Sequence, residues 1–275
     1  FSAMNWRDIR RRATRGAAAL LGSCSLAACG GGLPLLHPAR VLRAGQTSFG
    51  AGMSDRLVLG AERKALDDAE RRPPGAPLPT SDSEYTRGVL VAVAEGPALA
   101  PWASARVGIP GSNEGGLSYT GQAVRADARH AFEWDNSALS IGLGFTGRGF
   151  GGSALKLPGA DLNRANGVGL DLPLLFGYHT DADLISVWAG LRGAYDHWSG
   201  KLTLDGDAPF TLSAGRLSAG PVLGLSVGLP PLWVAAELEV DYSHVTGTLD
   251  RAGGHYDAQL GGWSARPAGA LIAKF

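Results

Sequence analysis

The strongest constraint on how this chain can fold is a strict two-residue alternation, which is clearest over residues 232–245, LWVAAELEVDYSHV. A row of acids alternates there with a row of apolar residues, Glu237, Glu239 and Asp241 against Leu238, Val240 and Tyr242. Because successive side chains of a strand point to opposite faces, this strand has one carboxylate face and one apolar face. The apolar face then needs either a second sheet, as in a soluble sandwich, or lipid.

The same alternation returns along most of the chain. It predicts strands over residues 45–60, 116–134, 137–147, 167–179, 184–197, 211–228, 232–245 and 265–275. Short turns are expected at 135–136, 180–183 and 229–231, and longer loops at 150–166, 199–209 and 250–257. The 41 glycines are unsuited to a helical bundle, whereas sheets with tight turns tolerate them. The sequence therefore predicts an all-β protein.

Two stretches between residues 61 and 96 fit this pattern less clearly. Residues 61–83 are charged and then proline-rich, which predicts a solvated loop with at most one helical turn. Val89, Val91 and Val93 alternate in the second stretch, and β-branched residues at every other position favour a strand over a helix. If this strand and its neighbour at 101–111 belong to the sheet, about ten strands are expected; otherwise eight.

Long strands joined by short turns on one side are typical of transmembrane barrels rather than of sandwiches, whose strands usually have about 5–6 residues. No segment reaches the roughly 18 apolar residues of a membrane helix, so a closed barrel is the one spanning option. With its terminal aromatic Phe275, the region 45–275 resembles bacterial outer-membrane β-barrel proteins. The resemblance implies a single antiparallel up-and-down barrel in a Gram-negative outer membrane, with periplasmic termini. It also implies a lipid environment, recognition of Phe275 by the barrel-assembly machinery, and a monomer.

The N-terminal block is expected to be an export signal. Five arginines precede the apolar run GAAALLGSCSLAAC, which is too short to span a bilayer. Its end, LAAC, resembles the lipobox of bacterial lipoproteins, which implies a signal peptide over residues 1–28, lipidation at Cys29 and a periplasmic tether over 29–44. An ordinary cleavable signal is the alternative. Loss of Cys24 with the signal leaves one cysteine, so no internal disulfide is expected.

Strand parity assigns many charged residues to the barrel interior. The predicted luminal charge network consists of Arg125, Asp127, Arg129, Glu133, Arg192, Asp196, Arg216, Glu237, Glu239, Asp241 and Arg266, and the same parity adds Arg56, Arg106, Asp171 and Lys274. These residues could line an ion-conducting pore or pair with one another and fill a narrow lumen. The near balance of the two signs favours the filled lumen.

Composition and motifs limit the remaining functions. After signal cleavage Lys+Arg falls from 25 to 20 and Asp+Glu from 25 to 24, and without a basic cluster no nucleic-acid partner is expected. No metal spacing or phosphate loop occurs, so no cofactor is expected. Residues 242–246, YSHVT, faintly resemble the Tyr-x-His-x-Ser pattern of lipid A deacylases, which implies His244 beside Thr246 on the lipid face. The leading expectation is a non-enzymatic structural, adhesive or weakly conducting barrel; the alternative is a membrane hydrolase that uses His244.

Overall fold

A computed structural model describes residues 32–73, 83–96, 98–149, 157, 160–180, 183–204, 210–251 and 254–275. Two helices, α1 (Gly60–Glu70) and α2 (Glu84–Glu95), lie between strands of the described chain. The strands are β1 (Thr47–Ser54), β2 (Leu57–Leu59), β3 (Ala100–Ile109), β4 (Asn113–Tyr119), β5 (Ala123–Trp134), β6 (Ser137–Gly149), β7 (Ala160–His179), β8 (Ile185–Leu204), β9 (Phe210–Leu229), β10 (Leu232–Arg251) and β11 (Gly254–Lys274). The predicted export signal and Cys29 lie outside the described residues.

The strands form one closed antiparallel ring. From β3 to β11 each strand pairs with the next one in sequence, and β1 closes the ring by pairing with both β3 and β11. The short β2 also pairs with β11, farther from the C-terminal end of that strand than β1 does. Because β1 and β2 lie one after the other beside β11, they count as one strand of the wall, and the wall has ten strands. The prediction of a single antiparallel barrel of about ten strands is confirmed. Thr47 and Phe275 exchange backbone hydrogen bonds at one end of the ring, which we call the lower end.

The wall of the ring has two heights. Strands β3 to β6 have 7 to 13 residues, whereas β7 to β11 have 20 or 21. The long loops expected at 199–209 and 250–257 were therefore wrong over most of their length, because β8 continues to Leu204 and β10 and β11 continue through Arg251 and Gly254. Described polar residues that indicated loops, such as Ser199 and Lys201, belong to the outward row of an extended strand.

The two faces of the long strands exchange character at a fixed height. On β10, outward residues are apolar from Leu232 to Tyr242 and polar from His244 upward. The inward row of the same strand is acidic from Glu237 to Asp241 and then becomes apolar at Val245 and Leu249. Tyr195 on β8 and Trp263 on β11 lie outward at the same boundary. We call the outward apolar zone below this boundary the apolar belt, and the part of β7–β11 above it the projecting half.

Helices α1 and α2 form a hairpin that packs inside the ring against the projecting half. One apolar cluster joins Val89, Leu90 and Val93 of α2 to inward residues of the wall such as Trp198 and Leu249. The expectations of a loop at 61–83 and a strand at 89–94 were thus wrong for residues 61–70 and 89–94. A helix buried on all sides is apolar all round, so its valines at every second position mimic a strand.

The segment from Gly32 to Leu42, here called the luminal segment, lies inside the lower half of the ring. Leu33, Leu35, Leu36 and Ala39 are all less than 4% exposed. The prediction of a tether between lipid and barrel over 29–44 needs correction for these residues, because they are part of the barrel interior. Pro and Gly in this segment disfavour a helix or strand, and its leucines are buried among the side chains of the lumen.

The crossing of the two helices depends on Gly88. A Cβ atom at this position would lie 2.4 Å from Ala69 Cβ and 2.5 Å from the Ala65 carbonyl oxygen. We therefore expect Gly88→Ala to push the helices apart and destabilise the hairpin by about 1–3 kcal/mol. Hydrogen exchange of the α2 amides in detergent would measure this loss of protection. Gly193→Ala on β8 is the control, because its Cβ would meet nothing within 4 Å; equal loss in both variants would contradict the explanation.

Candidate functional site in the lumen

A continuous lattice of arginine and acidic side chains crosses the lower lumen. It begins at Glu114 of β4, which binds Arg106 and lies 2.8 Å from Arg129. Asp127 links Arg106 at 2.6 Å to Arg125 at 2.9 Å. All of these side chains are less than 10% exposed. Alternate positions on adjacent strands bring these groups together, since inward side chains of neighbouring strands lie side by side.

The lattice continues across the ring through Asp171 of β7. Its two carboxylate oxygens accept hydrogen bonds of 2.8 Å from Arg125 and 3.2 Å from Arg192. Arg192 also lies 3.2 Å from Glu239 of β10, and Glu239 binds Arg266 of β11. Two strong guanidinium bonds on one carboxylate are charge-assisted and hold their geometry well.

The upper part of the lattice reaches the helical hairpin. Arg216 of β9 lies 2.9 Å from Glu95 at the end of α2 and 3.6 Å from Asp196. Glu95 also pairs with Arg56 at 3.2 Å, and Asp196 pairs with Arg148 at 2.9 Å. The hairpin therefore supplies a carboxylate that the wall arginines need, immediately before α2 ends at the left-handed Gly96.

The luminal segment is bound to the lattice through its backbone. Glu237 accepts hydrogen bonds from the amides of Leu35 at 2.7 Å and Leu36 at 2.9 Å, and from Trp188 Nε1 at 3.1 Å. Arg192 donates to the Leu33 carbonyl at 2.7 Å. Arg129 donates to the carbonyls of Pro38 and Arg40, the second at 3.2 Å. Backbone polar groups in the lumen need such partners, so the segment is held along its length.

Glu62 of α1 is a further buried acid, at the height where the projecting half begins. Its Oε1 accepts a 2.6 Å hydrogen bond from Ser243 Oγ. Burial, and then the carboxylate of Glu95, raise the pKa of Glu62 from 4.5 to about 7. Because folded Glu62 holds its proton more tightly than the unfolded chain does, its effect on stability becomes unfavourable as pH rises from about 4.5 through about 7.

The structure places most of the predicted network residues in this lattice. Arg125, Asp127, Arg129, Arg192, Asp196, Arg216, Glu239, Asp241 and Arg266 all have inward side chains with ionic partners within 4 Å. Glu237 binds backbone amides and Trp188 instead. Glu133 lies at the lower mouth, where its partly exposed carboxylate is 3.7 Å from Arg40. Lys274 is also at the mouth, with Nζ 4.4 Å from the Trp233 ring centre.

Sequence reasoning missed Glu95, Glu114 and Arg148. Extending the predicted strand 137–147 by one residue would have placed Arg148 inside, in the row of Gly142 and Gly144. Similarly, Glu114 shares its row with Gly116 and Ser118, opposite Leu117 and Tyr119. Glu95 had no comparable signal, because the helix that carries it was interpreted as a strand.

His244 points outward from β10, directly above Tyr242 and therefore at the upper edge of the apolar belt. Thr246 is the next outward residue on the same strand. The Cα atoms of two such residues are about 6.6 Å apart, so the two side chains lie next to each other on the outer surface. Within the part of the chain that the structure describes, the His244 imidazole has no hydrogen bond or ion pair, while its backbone pairs with β9 and β11.

Among the described residues, no helix is long and apolar enough to cross a membrane, and no group of three or more His, Cys, Asp or Glu residues could hold a metal ion.

Comparison with known proteins gives similarity of fold only. No family model and no curated protein matches this chain. The attachment invasion locus protein Ail of Yersinia pestis is 12% identical, with 85% of this chain and 100% of Ail covered and a TM-score of 0.34. A major outer membrane protein of Thermus thermophilus is 13% identical over 83% and 99% of the two chains, with a TM-score of 0.35. Neisserial surface protein A is 10% identical over 84% and 96%, with a TM-score of 0.29.

The lattice predicts a large cost for removing one shared acid. Asp171→Asn removes the charge that compensates both Arg125 and Arg192, so it should destabilise the barrel by about 3–5 kcal/mol. Urea unfolding in detergent micelles would measure the change. Glu133→Gln is the matched control, since its pair with Arg40 is partly exposed and should be worth about 0–1 kcal/mol. Similar losses in the two variants would show that the lattice is not what stabilises the ring.

Proposed function

We propose that this protein is an outer-membrane β-barrel with a closed lumen that presents a rigid β-wall at the cell surface. The observation that carries the proposal is the exchange of faces along β8–β11. From Leu232 to Tyr242 the outward row of β10 is apolar over about the 9–11 residues that a tilted strand needs to cross a bilayer. Above Tyr242 the outward residues are polar and the inward ones apolar, as in a water-soluble domain.

The height of the aromatic side chains supports this orientation. Tyr195, Tyr242 and Trp263 lie outward at the upper edge of the apolar belt, and Phe49, Trp134 and Phe275 lie outward near its lower edge. Aromatic girdles at both interfaces are typical of transmembrane barrels. The lower end, where β1 begins and β11 ends, then faces the periplasm, and the projecting half faces the exterior.

The barrel interior supports a structural or adhesive role rather than transport. The luminal segment occupies the lower half, and the helical hairpin covers the upper half through its contacts with Trp198 and Leu249. Between them the charged groups are paired with one another. A solute would have to displace both elements to pass.

Two further parts of the proposal concern the chain ends. We propose that Phe275, which is outward and 65% exposed at the lower end, serves as the recognition residue for barrel assembly. Lipidation at Cys29 is retained as a proposal with a geometric condition. Gly32 is held by the hydrogen bond from Ser54 Oγ to its carbonyl, and three residues span at most about 11 Å. Lipidation therefore requires a path from the lumen to the membrane that begins no more than about 11 Å from Gly32.

A closed lumen predicts that the purified protein forms no channels. In planar bilayers we expect no unitary conductance, because the luminal segment and the hairpin block the path in series. A variant that lacks both residues 32–42 and the hairpin, with β2 and β3 joined by a short linker, serves as the open reference and should conduct if it folds into the ring. Stable channels in the unmodified protein would contradict the closed barrel.

A lipid hydrolase that uses His244 is the alternative, and the outward position of His244 at the membrane boundary is the observation in its favour. The lack of an acid partner for the His244 side chain among the described residues argues against it, because a catalytic base is normally oriented by a third group. We therefore expect His244→Ala to leave the acyl-chain pattern of lipid A unchanged in cells that express the protein, as measured by mass spectrometry. Loss of acyl chains with the unmodified protein, but not with His244→Ala, would establish the hydrolase instead.

A further inference from the structure

The outer surface of the projecting half carries a groove of about 610 Å³. It lies across β8 to β11, immediately above the boundary marked by Tyr242 and Trp263. Gly215 of β9 lies at its centre, because it pairs with His197 on one side and Thr246 on the other. The groove exists partly because this outward position has no side chain.

The groove has room for an added atom at Gly215. A Cβ atom there would lie 3.5 Å from Tyr195 Oη and 3.8 Å from Thr246 Oγ1, which are ordinary contact distances. Filling the groove by substitution at this position therefore requires no movement of the backbone. This contrasts with Gly247 in the next strand, where a Cβ atom would lie 2.6 Å from Leu90 of α2.

The side chains around Gly215 are those that recognise hydroxyl groups. Ser213, Thr246 and Thr248 provide hydroxyls, and Gln259 provides an amide that can donate and accept. Asp257 provides a carboxylate, one oxygen of which lies 2.9 Å from His255 Nε2 while the other is available as an acceptor. Tyr195 adds an aromatic ring at the lower edge of the groove, against which an apolar ring face can pack.

The charge of the groove limits its ligand further. No lysine or arginine is among the described residues that line it, and Asp257 contributes a negative charge. Phosphate recognition depends on Arg, Lys or clustered backbone amides, so a phosphate group is a poor fit. A neutral ligand with many hydroxyl groups is a good one.

We infer that this groove binds the saccharide part of the glycolipid in the surrounding outer leaflet. The inference rests on the proposed function, since the apolar belt sets the height of the membrane surface. A groove directly above Tyr242 and Trp263 lies at the level where a glycolipid displays its sugars, beside acyl chains that contact the belt. Binding there would hold lipid molecules against the long side of the wall.

The probe is deacylated rough-type lipopolysaccharide, titrated into the detergent-solubilised protein by isothermal titration calorimetry. The unmodified protein should show saturable binding. Gly215→Leu, which fills the groove, should weaken the affinity by about tenfold or more, and the double variant Thr246→Val and Thr248→Val should weaken it through loss of hydroxyls. Gly193→Leu is the control on the apolar belt and should bind like the unmodified protein. Removal of phosphates from the probe should leave the affinity unchanged.

The outcomes distinguish failure of saccharide binding by the groove from failure of the proposed membrane-barrel function. Absence of binding, or equal affinity in Gly215→Leu and Gly193→Leu, would overturn the groove, and loss of binding on phosphate removal would overturn its preference for neutral sugar. Insertion into phospholipid vesicles, followed by heat-modifiable gel migration, tests the proposed function independently. If the protein inserts but does not bind the probe, the groove inference alone fails; if it does not insert, both fail.

Discussion

The lattice of buried guanidinium and carboxylate groups is the interaction on which the rest of the structure depends. Each arginine is removed from water, and a buried cation is tolerated only where acids and carbonyls surround it. The wall alone does not meet this demand. The luminal segment adds the Leu33 and Pro38 carbonyls, and α2 adds Glu95. Wall, luminal segment and hairpin are thus coupled, because each supplies partners that the others need.

The exchange of faces at Tyr242 follows from the same requirement. In the orientation proposed above, lipid surrounds the wall below this height, so charge is confined to the interior and must be paired there. Water surrounds the wall above this height, so polar groups such as Thr246 face outward and the interior is free to be apolar. The long strands would then expose an apolar inner face, and α2 covers it with Val89, Leu90 and Val93. The same strands therefore present an apolar outer face below Tyr242 and a polar outer face above it. The hairpin is required because it covers the apolar inner face of the longer strands.

The sequence correctly predicted the orientation of a residue where local strand geometry alone decides it. The alternation over 232–245 correctly predicted a strand with Glu237, Glu239 and Asp241 inward, because parity is a property of the strand itself. The same reasoning failed for Val89–Val93, where burial on all sides of a helix produced a false strand pattern. It also missed the luminal segment, since a chain packed in a lumen has no period at all.

The sequence by itself determined that the chain alternates, that it forms an antiparallel sheet with short lower turns, and that its two faces differ in polarity. Only the tertiary structure decided which residues fill the ring and where the outer surface changes from apolar to polar. The physical reason is that a period of two fixes opposite faces along one strand, whereas the identity of the neighbour depends on ring closure. Closure brings Glu95 to Arg216, and Leu35 to Glu237, across more than 100 residues of sequence. Nothing in the local pattern of either partner specifies such a contact.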